Sequence, residues 1–167
     1  MDGTGDVSLN TAVTGMYHFV VNKTNSTDKV TLANHSGSFG DTTITRGTFD
    51  TNSTNNWIYV CVGHFTISAN GTMNANASLL STGKNWSRSG TFNEGTSTMT
   101  FDQAGNATMD GTRWYNLTMN KASALDSLTL VGANIQVTRD FNATQGIFDS
   151  DGFDVDVNDD LIVGAGG

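Results

Sequence analysis

Apolar and β-branched residues in this chain come in short runs, parted by clusters of glycine, asparagine, aspartate and serine. The runs YHFVV (17–21), KVTL (29–32), TTIT (42–45), WIYVCV (57–62) and FTI (65–67) lie in the first half. STMTF (97–101), WYNLTM (114–119), SLTL (127–130), NIQV (134–137), FDVDV (153–157) and LIV (161–163) follow. Short runs bounded by turn residues at nearly even spacing predict strands. No stretch holds an apolar period of 3.6, so no helix is predicted.

The pattern repeats at long range. YHFVVNKTNSTDKVTL (17–32) aligns without a gap on YNLTMNKASALDSLTL (115–130), with six identities in 16 positions: Tyr17/Tyr115, Asn22/Asn120, Lys23/Lys121, Asp28/Asp126, Thr31/Thr129 and Leu32/Leu130. After small gaps GTFD (47–50) aligns on GIFD (146–149), and WIYVCVGHFTISANG (57–71) on FDVDVNDDLIVGAGG (153–167). DGTGDVSL (2–9) resembles DQAGNATM (102–109) in the same frame. The superperiod is about 98 residues, 17–71 matching 115–167, within one domain over 1–167. The chain starts and stops in mid-pattern, as a segment of a longer array does.

Regularly spaced short strands also suit an antiparallel β-sandwich. Stacked coils fit better, because threonine, asparagine and glycine recur with the strands. With 20–25 residues per coil, about seven coils stacked ~4.8 Å apart would make a rod ~35 Å long. The segments NWSRSGTFNEGTSTMTFDQAGNATMDGTRWYNLTMNK (85–121) and GIFDSDGFDVDVNDDLIVGAGG (146–167) resemble repeats of large right-handed parallel β-helix proteins. Such repeats occur in adhesin-like surface proteins and in viral structural proteins. The resemblance is looser over 33–46 and 72–84. It implies a right-handed parallel β-helix that serves as a scaffold, with no catalytic motif.

Composition supports strands over disorder. Apolar residues make up 37% and charged residues only 14%; the balance is 25 Thr, 18 Asn, 14 Ser and 19 Gly. A disordered chain usually carries more charge and fewer aromatics than the 15 here. Proline is absent, leaving backbone donors free for sheet ladders. The net charge of −8, with eight scattered Lys and Arg, argues against nucleic acid as a partner. No apolar run is long enough for a membrane span, and MDGTGDVSLN lacks the basic and apolar regions of a signal peptide. Cys61, the single cysteine, has no partner for an intramolecular disulfide.

Four groups of residues are candidates for chemistry. N-x-S/T triplets occur at Asn22, Asn25, Asn34, Asn52, Asn70, Asn76, Asn85, Asn106, Asn116 and Asn142, ten against about four expected from composition. All but Asn116, which lies inside a predicted strand, are candidate N-glycosylation sites; turn asparagines beside strand threonines also generate such triplets. Asp149, Asp151, Asp154, Asp156, Asp159 and Asp160 are clustered like calcium ligands, but the loop motif of calcium-binding hands is missing. Alternation gives them a plainer role, with Phe153, Val155 and Val157 inward and Asp154 and Asp156 outward. In the aligned segment Trp57, Tyr59 and Cys61 take inward positions, and Ile58, Val60 and Val62 replace the outward acids. An apolar outward stripe predicts a subunit interface or cover from elsewhere in the chain, a local loop included. His18, His35 and His64 share no metal spacing, Cys61 reads as core, and Glu94 has no carboxylate partner, so no metal, cofactor or catalytic residue is expected. Trp57, Trp86 and Trp114 are expected in the core rather than on a sugar-stacking platform.

These features point to a non-enzymatic structural subunit of an extracellular, glycosylated surface filament or adhesin-like fibre. Copies would self-associate by stacking or strand exchange, with surface glycans or a host receptor as partners. A virion part (capsid decoration or tail-fibre segment) and a carbohydrate-binding or carbohydrate-cleaving β-helix are the alternatives.

Overall fold

A computed structural model describes residues 2–10, 13–33 and 36–166. The described residues form twenty strands and no helix. Every registered pairing is parallel. The chain is therefore a parallel β-solenoid of about seven turns, not an antiparallel sandwich. Thr98 pairs with Asn116 and Asn120 with Gln145, so a turn takes 18 to 25 residues.

Each turn lays one strand on each of three faces. The first face stacks Val7–Leu9, Lys29–Leu32, residues 48–50 and 72–74, and Thr91–Asn93; Arg113–Trp114, Ile135–Val137 and Val155–Val157 continue it as a separate sheet. The second face stacks residues 13–16 and 37–39, Tyr59–Cys61, Leu79–Thr82, Thr98–Phe101, Asn116–Asn120, Phe141–Gln145 and Leu161–Gly166. The third stacks residues 19–21, 42–44 and 65–67, Trp86–Arg88, Ala107–Asp110, Ser127–Val131 and Ile147–Asp149.

Alternation sends every second side chain into one shared core. Aromatic rings from the three faces meet there. Phe19 lies 4.6 Å from Phe39, Phe39 4.9 Å from Tyr59, and Phe49 5.0 Å from Tyr59, centroid to centroid. Tyr59 leads to Phe65 at 5.9 Å, Phe65 to Trp86 at 4.8 Å, and Trp86 to Trp114 at 5.0 Å. This spine runs through four turns, and each such pair adds roughly 0.5–1.5 kcal/mol beyond the area it buries. Leu, Ile, Val and Met fill the coils beyond it.

Outward positions carry polar ladders. On the first face Asp50, Asn74 and Asn93 stack in register. The Asn74 amide donates to Asp50 Oδ2 at 3.4 Å, and the Asn93 amide to Asn74 Oδ1 at 2.8 Å. Identical geometry on successive rungs is what makes such ladders available to asparagine.

The two aligned copies share inward and outward parity but not a face. Phe19 on the third face matches Leu117 on the second. Val30 and Leu32 on the first face match Leu128 and Leu130 on the third. Tyr59 and Cys61 on the second face match Val155 and Val157 on the first. The superperiod is therefore not a whole number of turns, and each copy is rotated by one face.

Beyond the last coil the core lies open among the described residues. Leu161 and Val163 pair with Phe141 and Ala143 yet remain 59% and 61% exposed. With Met119, Phe148 and Val155 they line an apolar hollow of about 410 Å³.

Candidate functional site

The run from Trp57 to Val62 is placed on the second face by its neighbours. Gly37 N donates to Ile58 O at 3.0 Å, and Ile58 N to Ser36 Oγ at 3.3 Å. Tyr59 and Cys61 then point inward and are fully buried. Trp57, expected inward, is only partly buried, because it precedes the strand and packs on the core from the turn.

Ile58, Val60 and Val62 point outward. Ile58 and Val62 are each 47% exposed and Val60 is half-buried, so no local loop covers them among the described residues. Tyr59 pairs with Leu80, which sets Ile58 level with Leu79, itself 53% exposed. Tyr17, almost wholly exposed, joins the patch at its upper corner, where it lines a shallow hollow with Met16, Phe39 and Val62. Leu79 and Tyr17 were not legible as part of this site, because their neighbours lie one and two turns away in sequence.

Towards the third face, His18 Nδ1 lies 3.3 Å from Asp41 Oδ2, and His64 N donates to Asp41 Oδ1 at 2.9 Å. The histidines so far apart in sequence thus straddle one carboxylate on successive rungs. His35 and Asn34 lie outside the described residues.

The Cys61 thiol is buried beside Tyr59, and it donates towards Gly40 O at 3.2 Å. Burial pushes its pKa up, the reverse of what an activated nucleophile needs. Trp86 and Trp114 are core residues and present no surface for a sugar. Glu94 pairs instead with Arg113, Oε1 to Nε at 2.9 Å.

The six clustered aspartates separate into three places. Asp149 accepts Asp151 N at 2.9 Å within a turn. Asp154 and Asp156 point outward on the first face, where they accept from Asn134 at 3.0 Å and Gln136 at 3.2 Å. Asp159 and Asp160 converge with Asp140, and Arg139 Nε lies 3.8 Å from Asp140 and from Asp159. A polar cleft of about 510 Å³ brings Asp154 and Asp156 near Arg88 and Arg113, but its amides and carboxylates already bond to one another.

The sequon asparagines also divide. The Asn25 amide donates to Asp28 at 3.2 Å, the Asn76 amide to Asp50 at 2.9 Å, and the Asn116 amide to Thr98 at 3.3 Å. Asn52, Asn85 and Asn106 use Oδ1 to accept backbone N–H groups, each at 3.0 Å. Asn22, Asn70 and Asn142 have side chains that bond to no described residue.

No protein-family model, curated protein or solved structure matches the chain. Fold and surface define its class: a parallel β-solenoid with an apolar outward stripe on its second face. No helix among the described residues is long and apolar enough to cross a membrane.

Proposed function

We propose that this chain is a non-enzymatic structural subunit of an extracellular filament or fibre, whose copies associate through the second face. The observation that carries this reading is the contiguous stripe of Ile58, Val60, Val62 and Leu79 on the second face. Contiguous apolar surface of this kind marks contact sites on soluble proteins.

The magnitudes favour repeated contact over a tight pair. Covering a whole Val, Leu or Ile side chain yields about 1.5–3 kcal/mol, and these are half covered already. Four of them contribute about 4 kcal/mol per copy, near the low end of what association costs. One contact is weak, but a row of them along a filament multiplies.

Light scattering after size exclusion, with negative-stain imaging, tests the reading. The native chain forms larger species as concentration rises. Val60→Asp combined with Ile58→Asp returns it to monomer with the far-ultraviolet circular dichroism unchanged. A native chain that stays monomeric across the whole range overturns the reading.

A further inference from the structure

Among the described residues, three sequon asparagines keep both carboxamide atoms out of the internal hydrogen-bond network, and two of these share one edge of the solenoid. Asn22 pairs with Arg46, and Arg46 with Asn70, so the two asparagines stand two rungs apart on the same outward ridge. Strand spacing puts them about 10 Å from each other. Both are exposed, whereas Asn142 is half-buried in the second face between Thr118 and Ile162. The ridge is the corner where the third face turns into the first, across the coil from the second face. Inward of it sit Lys23, Gly47 and Gly71, all buried, so the backbone there is held from within.

A sugar on Nδ2 leaves that nitrogen a single hydrogen and needs open space around it. At Asn76 or Asn25 the same sugar must displace a bond to a carboxylate. At Asn116 it must break a contact with Thr98 inside a ladder. At Asn22 and Asn70 it displaces no protein bond, and the required hydroxyl two residues on is present as Thr24 and Thr72.

We propose that Asn22 and Asn70 carry N-linked glycans, forming a sugar ridge opposite the apolar face. The donor is a saccharide linked through phosphate to a lipid, and a transferase that reads N-x-S/T catalyses the step. The Nδ2–C1 bond forms as the bond from C1 to the phosphate oxygen breaks. The lipid phosphate leaves with that electron pair, and one Nδ2 proton passes to a base of the transferase. The assignment rests on the surface-subunit reading for its compartment, and it leaves the second face clear for contact between copies.

Intact-mass measurement and glycopeptide mapping of the protein from its own source test this. Two adducts are expected, at Asn22 and Asn70. N22Q and N70Q each remove one, and the double variant removes both without changing the size of the assembly. An unmodified chain, or sugar confined to Asn25, Asn76 or Asn116, overturns the proposal. Loss of assembly with both adducts in place counts against the filament alone, and assembly without adducts counts against the glycans alone.

Discussion

Lys23 and Lys121 are buried in the same local frame at two different corners of the solenoid. Each is 1% exposed, and each has an Nζ with no hydrogen-bond partner among the described residues. Each packs against a glycine of positive φ, Gly47 at 92° and Gly146 at 110°. The next strand enters the same way in both, Thr48 N donating to Asp28 O and Ile147 N to Asp126 O, each at 2.9 Å. Yet Lys23 turns the chain from the third face to the first, and Lys121 from the second to the third. A corner, with its lysine stem as filler, is thus a unit that works at two different vertices of the coil. The stem packs as an apolar side chain, while the head is left without a partner.

Replacing that head should stabilise the fold. Lys121→Met keeps the stem's volume and removes a buried ammonium, whose unmet bonding costs about 1–3 kcal/mol. Burial holds the Lys121 pKa below the ordinary lysine value, with Asp126 opposing the shift. The unfolded chain therefore binds more protons between the lowered pKa and the ordinary one, and native stability from this group rises with pH across that window. Urea melts should show Lys121→Met more stable than the native chain at neutral pH, with the gap closing as pH rises towards the ordinary lysine value. A gap that does not change with pH contradicts the assignment.

The glycines opposite the lysines should tolerate no side chain. A Cβ at Gly47 would fall 2.6 Å from Lys23 Cγ and 3.0 Å from Asp28 O; at Gly146 the corresponding distances are 2.7 Å to Lys121 Cγ and 2.9 Å to Asp126 O. Left-handed backbone adds roughly 1–2 kcal/mol for an L-residue. Gly47→Ala and Gly146→Ala should each lower the unfolding free energy measured by urea melts, by about 2 kcal/mol or more. Gly132 and Gly152 are the relevant contrast: they also have positive φ but open space, so Gly132→Ala should cost only the backbone part.

The coil was legible in sequence wherever strand and turn signals were strong. Alternation assigned Tyr59 and Cys61 inward and Asp154 and Asp156 outward, as found. Segments such as Trp86–Arg88 and Thr91–Asn93 were harder, since strands of three residues carry almost no period. The rotation of the repeat was hidden, because turns of 18 to 25 residues do not divide its length evenly. The same variation conceals which side chains meet across rungs. Ile58 with Leu79 and Glu94 with Arg113 depend on registers that no local pattern encodes. Buried lysines are missed for another reason: lysine almost never lies wholly inside, and only the glycine facing it makes the room.

Cys61 should report on the core. Its thiol is fully buried, and burial raises its pKa, so little thiolate is exposed to reagent in the native state. A maleimide should leave the native protein unlabelled over hours at pH 7 and react within minutes in strong denaturant. Rapid labelling of the native chain would mean that the second face opens locally between Tyr59 and Thr82.

Tyr59 and Thr42 offer the sharpest test of the interior, because their hydroxyls bond each other at full burial. Removing one partner leaves the other's hydroxyl unsatisfied and should cost about 1–3 kcal/mol, whereas removing both leaves an apolar contact of nearly the same shape. Tyr59→Phe and Thr42→Val should therefore each destabilise, and the double variant should recover much of the loss. Burial also pushes the Tyr59 pKa well above its ordinary value, the bond to Thr42 opposing. The stability this group contributes is full below the ordinary tyrosine pKa and is lost as pH rises above it, because the unfolded chain ionises first. Tyr59→Phe should flatten that alkaline decline. Additive losses in the double variant would mean that the two hydroxyls act separately, and the bond between them would then have no part in holding the second and third faces together.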